Sequence, residues 1–225
     1  MKRVLVILAS LLVVVGCASE HAPAQTAAAL RREPVAAAFC MNAKRIHYSE
    51  LVYKVLYNET VTHDSVFDGL WDVDSELSVA WAKLLPQAGI HSRSIIEVLP
   101  SSELPRDWCR KLEDTSKPQT LSAPIQKALL ERQIRYLMVL RAYQFTVASY
   151  SIGSFSQLTI QGELAFHNVG SNRQEFSEHV SMGVSLGSRP PRELEANDMA
   201  WLKQTALELL ATQSLKWTRS ALEAD

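Results

Sequence analysis

The chain has 225 residues, is 47% hydrophobic and 21% charged, and sets 23 lysines and arginines against 24 aspartates and glutamates. A net charge of −1 offers no electrostatic footprint for nucleic acid. The apolar content is that of a folded protein, which excludes a disordered chain.

Lys2 and Arg3 form a basic tip before an unbroken run of apolar and small residues, Val4 to Val15. A helix crossing a hydrocarbon core needs about twenty residues, and this run is too short. It suits the apolar region of an export signal, which runs to about seven to fifteen residues. Val14-Val15-Gly16-Cys17 closes the run, and the polar pair Ser19-Glu20 follows. The arrangement resembles the lipobox of bacterial lipoproteins. The resemblance implies that residues 1–16 are a signal peptide and that Cys17 becomes the mature N-terminus, lipidated on its thiol and its amine. Each buried methylene adds about 0.8 kcal/mol, and two or more chains anchor stably. In Gram-negative lipoproteins an Asp after the cysteine is the usual retention signal for the inner membrane. Ala18 stands there, which implies the periplasmic face of the outer membrane. Losing Lys2 and Arg3 leaves 21 basic against 24 acidic residues, a balance of −3 that provides no cationic face for anionic lipid.

Residues 17–39 are rich in alanine, with Pro23 and Pro34 and few large apolar side chains. Such a composition buries little surface and reads as a tether. Residues 40–225 then form one domain of ordinary size. Besides Cys17 there are two cysteines, Cys40 and Cys109. In an oxidising compartment an even pair is most simply one disulfide, worth roughly 4 kcal/mol by chain entropy. Two buried thiols are the alternative.

From Ile46 a β-branched and aromatic run through Val61 predicts a strand, ended by Thr62-His63-Asp64-Ser65. His63 and Asp64 are neighbours in sequence, an unsuitable spacing for joint catalysis on one face. Asp72 or Asp74 can cap a helix carrying Leu77, Ala80, Trp81, Leu84, Leu85 and Ala88 at helical spacing, with Pro86 in its last turn and Gly89 after it. Ile90 to Leu99 reads as a strand ended by Pro100. Pro105 opens a short helix through Leu112, which sets Trp108 beside Cys109. Ser122 caps a further helix with Pro124 in its first turn.

The last third carries the clearest periodicity. Arg135 to Ser151 is strand-like throughout, and Gln157 to His167 and Val180 to Leu186 alternate apolar with polar side chains. With turn chemistry at residues 168–172, these are antiparallel strands of a meander. After Pro190-Pro191, Asn197 or Asp198 caps a long closing helix whose stripe of Met199, Leu202, Ala206, Leu209, Leu210 and Trp217 packs on the sheet. The expected fold class is α+β, a mixed and mainly antiparallel sheet with helices on one face and a long C-terminal helix.

The polar side of the meander gathers Thr159, Gln161, Glu163, His167, His179, Ser181 and Ser185. Small hydroxyl and amide groups desolvate cheaply and hydrogen-bond adaptably, so this side is the candidate partner face. His167 and His179 have no third ligand in view, and no metal is expected. Phosphate-binding loops and His-Glu-x-x-His are missing, and Gly183-Val184-Ser185-Leu186-Gly187, which matches Gly-x-Ser-x-Gly, falls inside the alternating strand segment and not at a strand-to-helix turn, so no cofactor and no enzyme activity are expected.

A lipobox, an Ala/Pro-rich tether and this element order are similar to small periplasm-facing accessory lipoproteins of the outer membrane. The auxiliary lipoproteins of ABC-type transporters are examples. The segments that carry the likeness are Ile134-Arg135-Tyr136-Leu137-Met138-Val139-Leu140 and Trp201-Leu202-Lys203. The resemblance implies a non-catalytic accessory or assembly role through contacts with an envelope protein complex or a second copy, and no nucleic acid. A periplasmic binder of a small apolar ligand or lipid is the alternative, followed by an envelope hydrolase.

Overall fold

The computed structural model describes residues 21–41, 45–53, 57–66, 71–100, 102–105, 108, 119–150, 155–187, 193, 197 and 199–223. Cys17, Cys109, Asp198 and the signal run lie outside them.

The sheet is organised on one long strand, β5 (Tyr136–Tyr150), whose sequence is dense in β-branched and aromatic residues. One edge pairs antiparallel with β6 (Phe155–Asn168), which pairs in turn with β7 (Arg173–Gly187). Two strands share the other edge, and both run parallel to β5. The first is β1 (Val35–Met41), from Val35 opposite Tyr136 to Met41 opposite Ala142. The second is β2 (Arg45–Tyr53), from His47 opposite Thr146 to Leu51 opposite Tyr150. The short β4 (Ser92–Ser94) extends the β1 flank, and β3 (Asn58–Val66) extends the β2 flank as a hairpin. The result is a seven-stranded mixed sheet.

Alternation along β1 builds two cores. Val35, Ala37, Phe39 and Met41 face the larger one, where they meet α1 (Ala24–Leu30), α2 (Val73–Leu84) and the closing helix. Ala36, Ala38 and Cys40 face the smaller one, with Ile95 and Val98 of the single-turn α3 (Ile95–Val98) and Ile125 and Leu129 of α4 (Ala123–Glu131). β4 covers only the start of β1. Beyond it, the Phe39 and Met41 amides donate to Ser78 Oγ and Asp74 Oδ1 of α2, each at 2.7 Å, so side chains complete the edge.

The expected α+β architecture, mixed sheet and C-terminal helix are those observed, but helices cover both faces of the sheet and not one, since β1 and the first half of β5 are apolar on both sides. Several local expectations are corrected. The tether reading fails from Ala22 onward, because α1 is packed and every residue of β1 is buried. A strand pressed between layers on both faces takes small side chains, so alanine content there marks close packing. The single strand through Val61 is a hairpin, and Thr62 to Ser65 continue β3. Ile90 to Leu99 is mostly turn and helix, because Ser94 and Glu97 form a capping box that starts α3. Asp72 caps α2 as expected, and α2 passes at Leu85 into a 3-10 turn containing Pro86, closed by Gly89 at φ 77°. The closing helix has two parts, α5 (Ala200–Leu209) and α6 (Leu215–Leu222), joined by a π-helical turn over Leu210–Ser214. Met199, whose side chain has no oxygen to cap with, stands at its start in the left-handed region at φ 59°.

β5 and β6 slip register between Ala142 and Gln144, which leaves Tyr143 as the extra residue of a bulge. The bulge drives the Arg141 carbonyl against Gly162, where an added Cβ would sit 2.9 Å from the Arg141 carbonyl carbon and closer still to its oxygen. Both neighbours are backbone and cannot swing away. Gly162→Ala should therefore lower stability by about 3 kcal/mol, with a fall in Tm of roughly 10 °C by calorimetry. Gly183→Ala, which meets only the end of the Gln157 side chain, is the control and should shift Tm far less.

Candidate functional site

The sheet face opposite the larger core divides in two. Toward the start of β5 it is roofed by α3 and α4. Gln126 of α4 donates to the Val169 carbonyl at 2.8 Å, and Asn172 exchanges hydrogen bonds with the backbone of Leu121 at 2.7 and 3.1 Å. Toward the end of β5 no element among the described residues covers the face, and this is its open half. Gln161, Ser181 and Ser185 are exposed there and Thr159 is half-buried.

Pairing of β2 with the second half of β5 carries the open face further. His47 stands opposite Thr146, and Asp64 of β3 stands opposite His47, with Asp64 Oδ1 2.9 Å from His47 Nδ1. Ser49 and Thr62 form the next row. No local pattern of residues signals this extension, since it depends on a parallel pairing about a hundred residues apart. Asp64 thus meets a histidine across the hairpin, His47.

The boundary between roofed and open halves is a charged row. By register Cys40, Arg141, Glu163 and His179 lie side by side across β1, β5, β6 and β7. Arg141 is fully buried, and its guanidinium lies 2.9 Å from Glu163 Oε2 and donates to Gln174 Oε1 at 3.1 Å. The bulge turns Tyr143 back so that its hydroxyl donates to the same Glu163 oxygen at 2.5 Å. Its ring meets His179 edge-on at 6.4 Å. Burial, then the hydrogen bond and charge of Glu163, raise the Tyr143 pKa well above its ordinary value.

These positions correct the expected partner face. Thr159, Gln161, His179, Ser181 and Ser185 lie along the open half. Glu163 and His167 are only 4% and 1% exposed. Strand alternation places them on the expected side but says nothing of a roof over it. Among the described residues His167 has no hydrogen-bond partner at either ring nitrogen. Burial first, and the Arg141 charge second, lower its pKa from 6.5 to about 3. A neutral histidine in that setting is a packing residue.

Cys40 is buried and disulfide-bonded. Trp108 packs partly buried against the smaller core, next in sequence to Cys109. Among the described residues no group of three His, Cys, Asp or Glu is placed to hold a metal. Two open grooves flank the first helix. One, of about 420 Å³, is lined by His21, Pro23 and residues 174–177; the other by Ala24, Ala27, Ala28, Arg31, Leu222 and Glu223. Neither converges polar groups on an enclosed space of the kind that holds a small ligand. Among the described residues no helix is long and apolar enough to cross a membrane.

Two tests follow from the charged row. Glu163→Gln strands a buried guanidinium and should cost about 3 to 5 kcal/mol, whereas Arg141→Met with Glu163→Leu should cost less than that single change by denaturant titration. His167 is neutral when folded but protonates below pH 6.5 when unfolded, so the unfolded chain takes up the extra proton. Stability should thus decline as pH falls from 6.5 toward 3, by up to about 1.4 kcal/mol per unit from this group. His167→Gln should flatten that slope whatever it does to absolute stability.

No protein-family model matches the sequence, and none of the curated proteins does. Among solved structures the chain is similar to PelC from Paraburkholderia phytofirmans, solved as a dodecamer, at 11% identity over 91% of this chain and 94% of that one, TM-score 0.43. It is similar to protein XCC0632 from Xanthomonas campestris, of family DUF330, at 12% identity over 84% of each chain, TM-score 0.42. It is also similar to lipoprotein GNA1162 from Neisseria meningitidis, at 10% identity over 77% of this chain and 98% of that one, TM-score 0.39. Likeness at these scores carries no argument about what this chain does.

Proposed function

We propose that the chain is a lipid-anchored, non-catalytic accessory protein of the bacterial envelope, held at the periplasmic face of the outer membrane through Cys17 and acting by protein–protein contact. The observation that carries the contact is the open half of the sheet, a broad face on five strands in which hydroxyl and amide side chains predominate beside His47, Asp64 and His179. A rigid backbone holds these groups, so docking orders few side chains, and hydroxyls and amides cost less to desolvate than charges. The anchor is supported by the basic tip, the apolar run and Gly16-Cys17. The disulfide of Cys40 is assigned to Cys109, because Trp108 already rests on the core that holds Cys40.

Each part is separately testable. Cys17→Ala should abolish acyl labelling and leave unprocessed precursor; continued labelling, or a mature N-terminus elsewhere, refutes the anchor. Gln161→Lys with Ser181→Arg, both on the exposed face, should leave Tm nearly unchanged and reduce recovery of co-purifying envelope protein. Full recovery with both changes moves the contact surface elsewhere. Peptide mapping without reductant should recover Cys40 and Cys109 in one linked fragment, and free alkylation of Cys109 excludes that pairing.

A further inference from the structure

The start of the described chain is fastened to its end. The Ala22 amide donates to the Ala221 carbonyl at 2.9 Å, and His21 Nδ1 lies 2.9 Å from the Ser220 carbonyl. Arg31 donates to the Leu222 carbonyl at 3.2 Å. Thr26 of α1 donates to Glu175, and Asn168 donates to the other oxygen of that carboxylate, both at 2.8 Å. Ala22 and Leu222 are buried at this junction. The first residues are therefore part of the domain, fixed at the pole where β5 begins and β6 ends.

Four residue steps separate Cys17 from His21. Fully extended they reach about 14 Å. The headgroup zone on one side of a bilayer is roughly 5 to 8 Å deep. Resting on the assignment of Cys17 as the acylated residue, we infer that the pole formed by α1 and the end of α6 is held against the lipid headgroups, with the β2–β3 hairpin directed away from the membrane. β5 spans 15 residues, which puts its far end about 45 Å from the pole. Exposed Tyr57 and Val61 belong to the hairpin at that far end.

The covalent tether sets this orientation. Arg31 and Arg32 follow α1, Arg135 precedes β5 and Arg173 opens β7, all of them exposed, against the exposed carboxylates Glu33 and Glu223. These cations add to the contact on anionic lipid. Because the tether length alone holds the pole near the surface, the contact is expected to survive high salt and to occur on zwitterionic lipid, unlike adsorption through a basic patch alone.

The test uses the full acylated protein in vesicles of phosphatidylethanolamine and phosphatidylglycerol, with a photo-crosslinking benzoylphenylalanine in place of exposed Ala28 or Ser220 at the pole, or of Tyr57 or Ser181 away from it. Lipid adducts should form several-fold more at Ala28 and Ser220, in low and high salt alike. Inserting about twenty Gly/Ser residues after Ser19, with a root-mean-square span of roughly 25 Å, should reduce the adducts at Ala28 several-fold while acyl labelling persists. Equal adducts at Ala28 and Tyr57 on acyl-labelled protein, or adducts at Ala28 unchanged by the insertion, overturn the orientation alone. Loss of the acyl label from unmodified protein overturns the anchor and the orientation together.

Discussion

The sheet depends on satisfying the backbone of β5 along both of its edges. A strand of 15 residues exposes too many donors and acceptors for one short neighbour, and unpaired groups in a buried strand are costly. The solution is two parallel strands placed end to end on one edge. Met41 meets Ala142 and His47 meets Thr146, so six residues of one flank are spanned by four of the other. On the opposite edge a bulge absorbs Tyr143. Both irregularities fall in the same stretch of β5, and there the sheet changes from a roofed strand layer to an open one.

A buried ion pair marks that change. Arg141 and Glu163 gain from one another, from Gln174 and from the Tyr143 hydroxyl, and these contacts offset the cost of removing two charges from water. The pair borders the open face without belonging to it. Specificity of the bulge is the more direct result, since Tyr143 reaches Glu163 only in the slipped register.

What could be read in the sequence tracks how local the governing physics is. The β5–β7 meander follows from alternation and turn residues, and α2 follows from Asp72, its apolar spacing and Gly89. Cap chemistry decides Ile90 to Leu99, where Ser94 and Glu97 outweigh the isoleucines. The alanines at 36–38 escape composition rules because their burial depends on layers supplied by distant segments. Of the candidate face, five positions lie along the open half. Glu163 is lost to its pairing with Arg141 and Tyr143, and His167 to burial in the half of the face that α3 and α4 roof; the contribution of β2 and β3 is invisible because it too rests on distant segments.

The junction of Ala22 with Ala221 also bears on when the molecule can become native. Those residues are 199 positions apart, and β1 waits for β5 about a hundred residues later. Contacts of such separation form slowly, since loop closure comes before any reward from pairing. During synthesis β1 thus waits for its partner, and the strand pairings that can assemble from neighbours in sequence are the β2–β3 hairpin and the β5–β7 meander. A chain built this way completes its larger core only when its last helix is present, so a chain cut short before Ala200 leaves part of the inner face of the sheet uncovered.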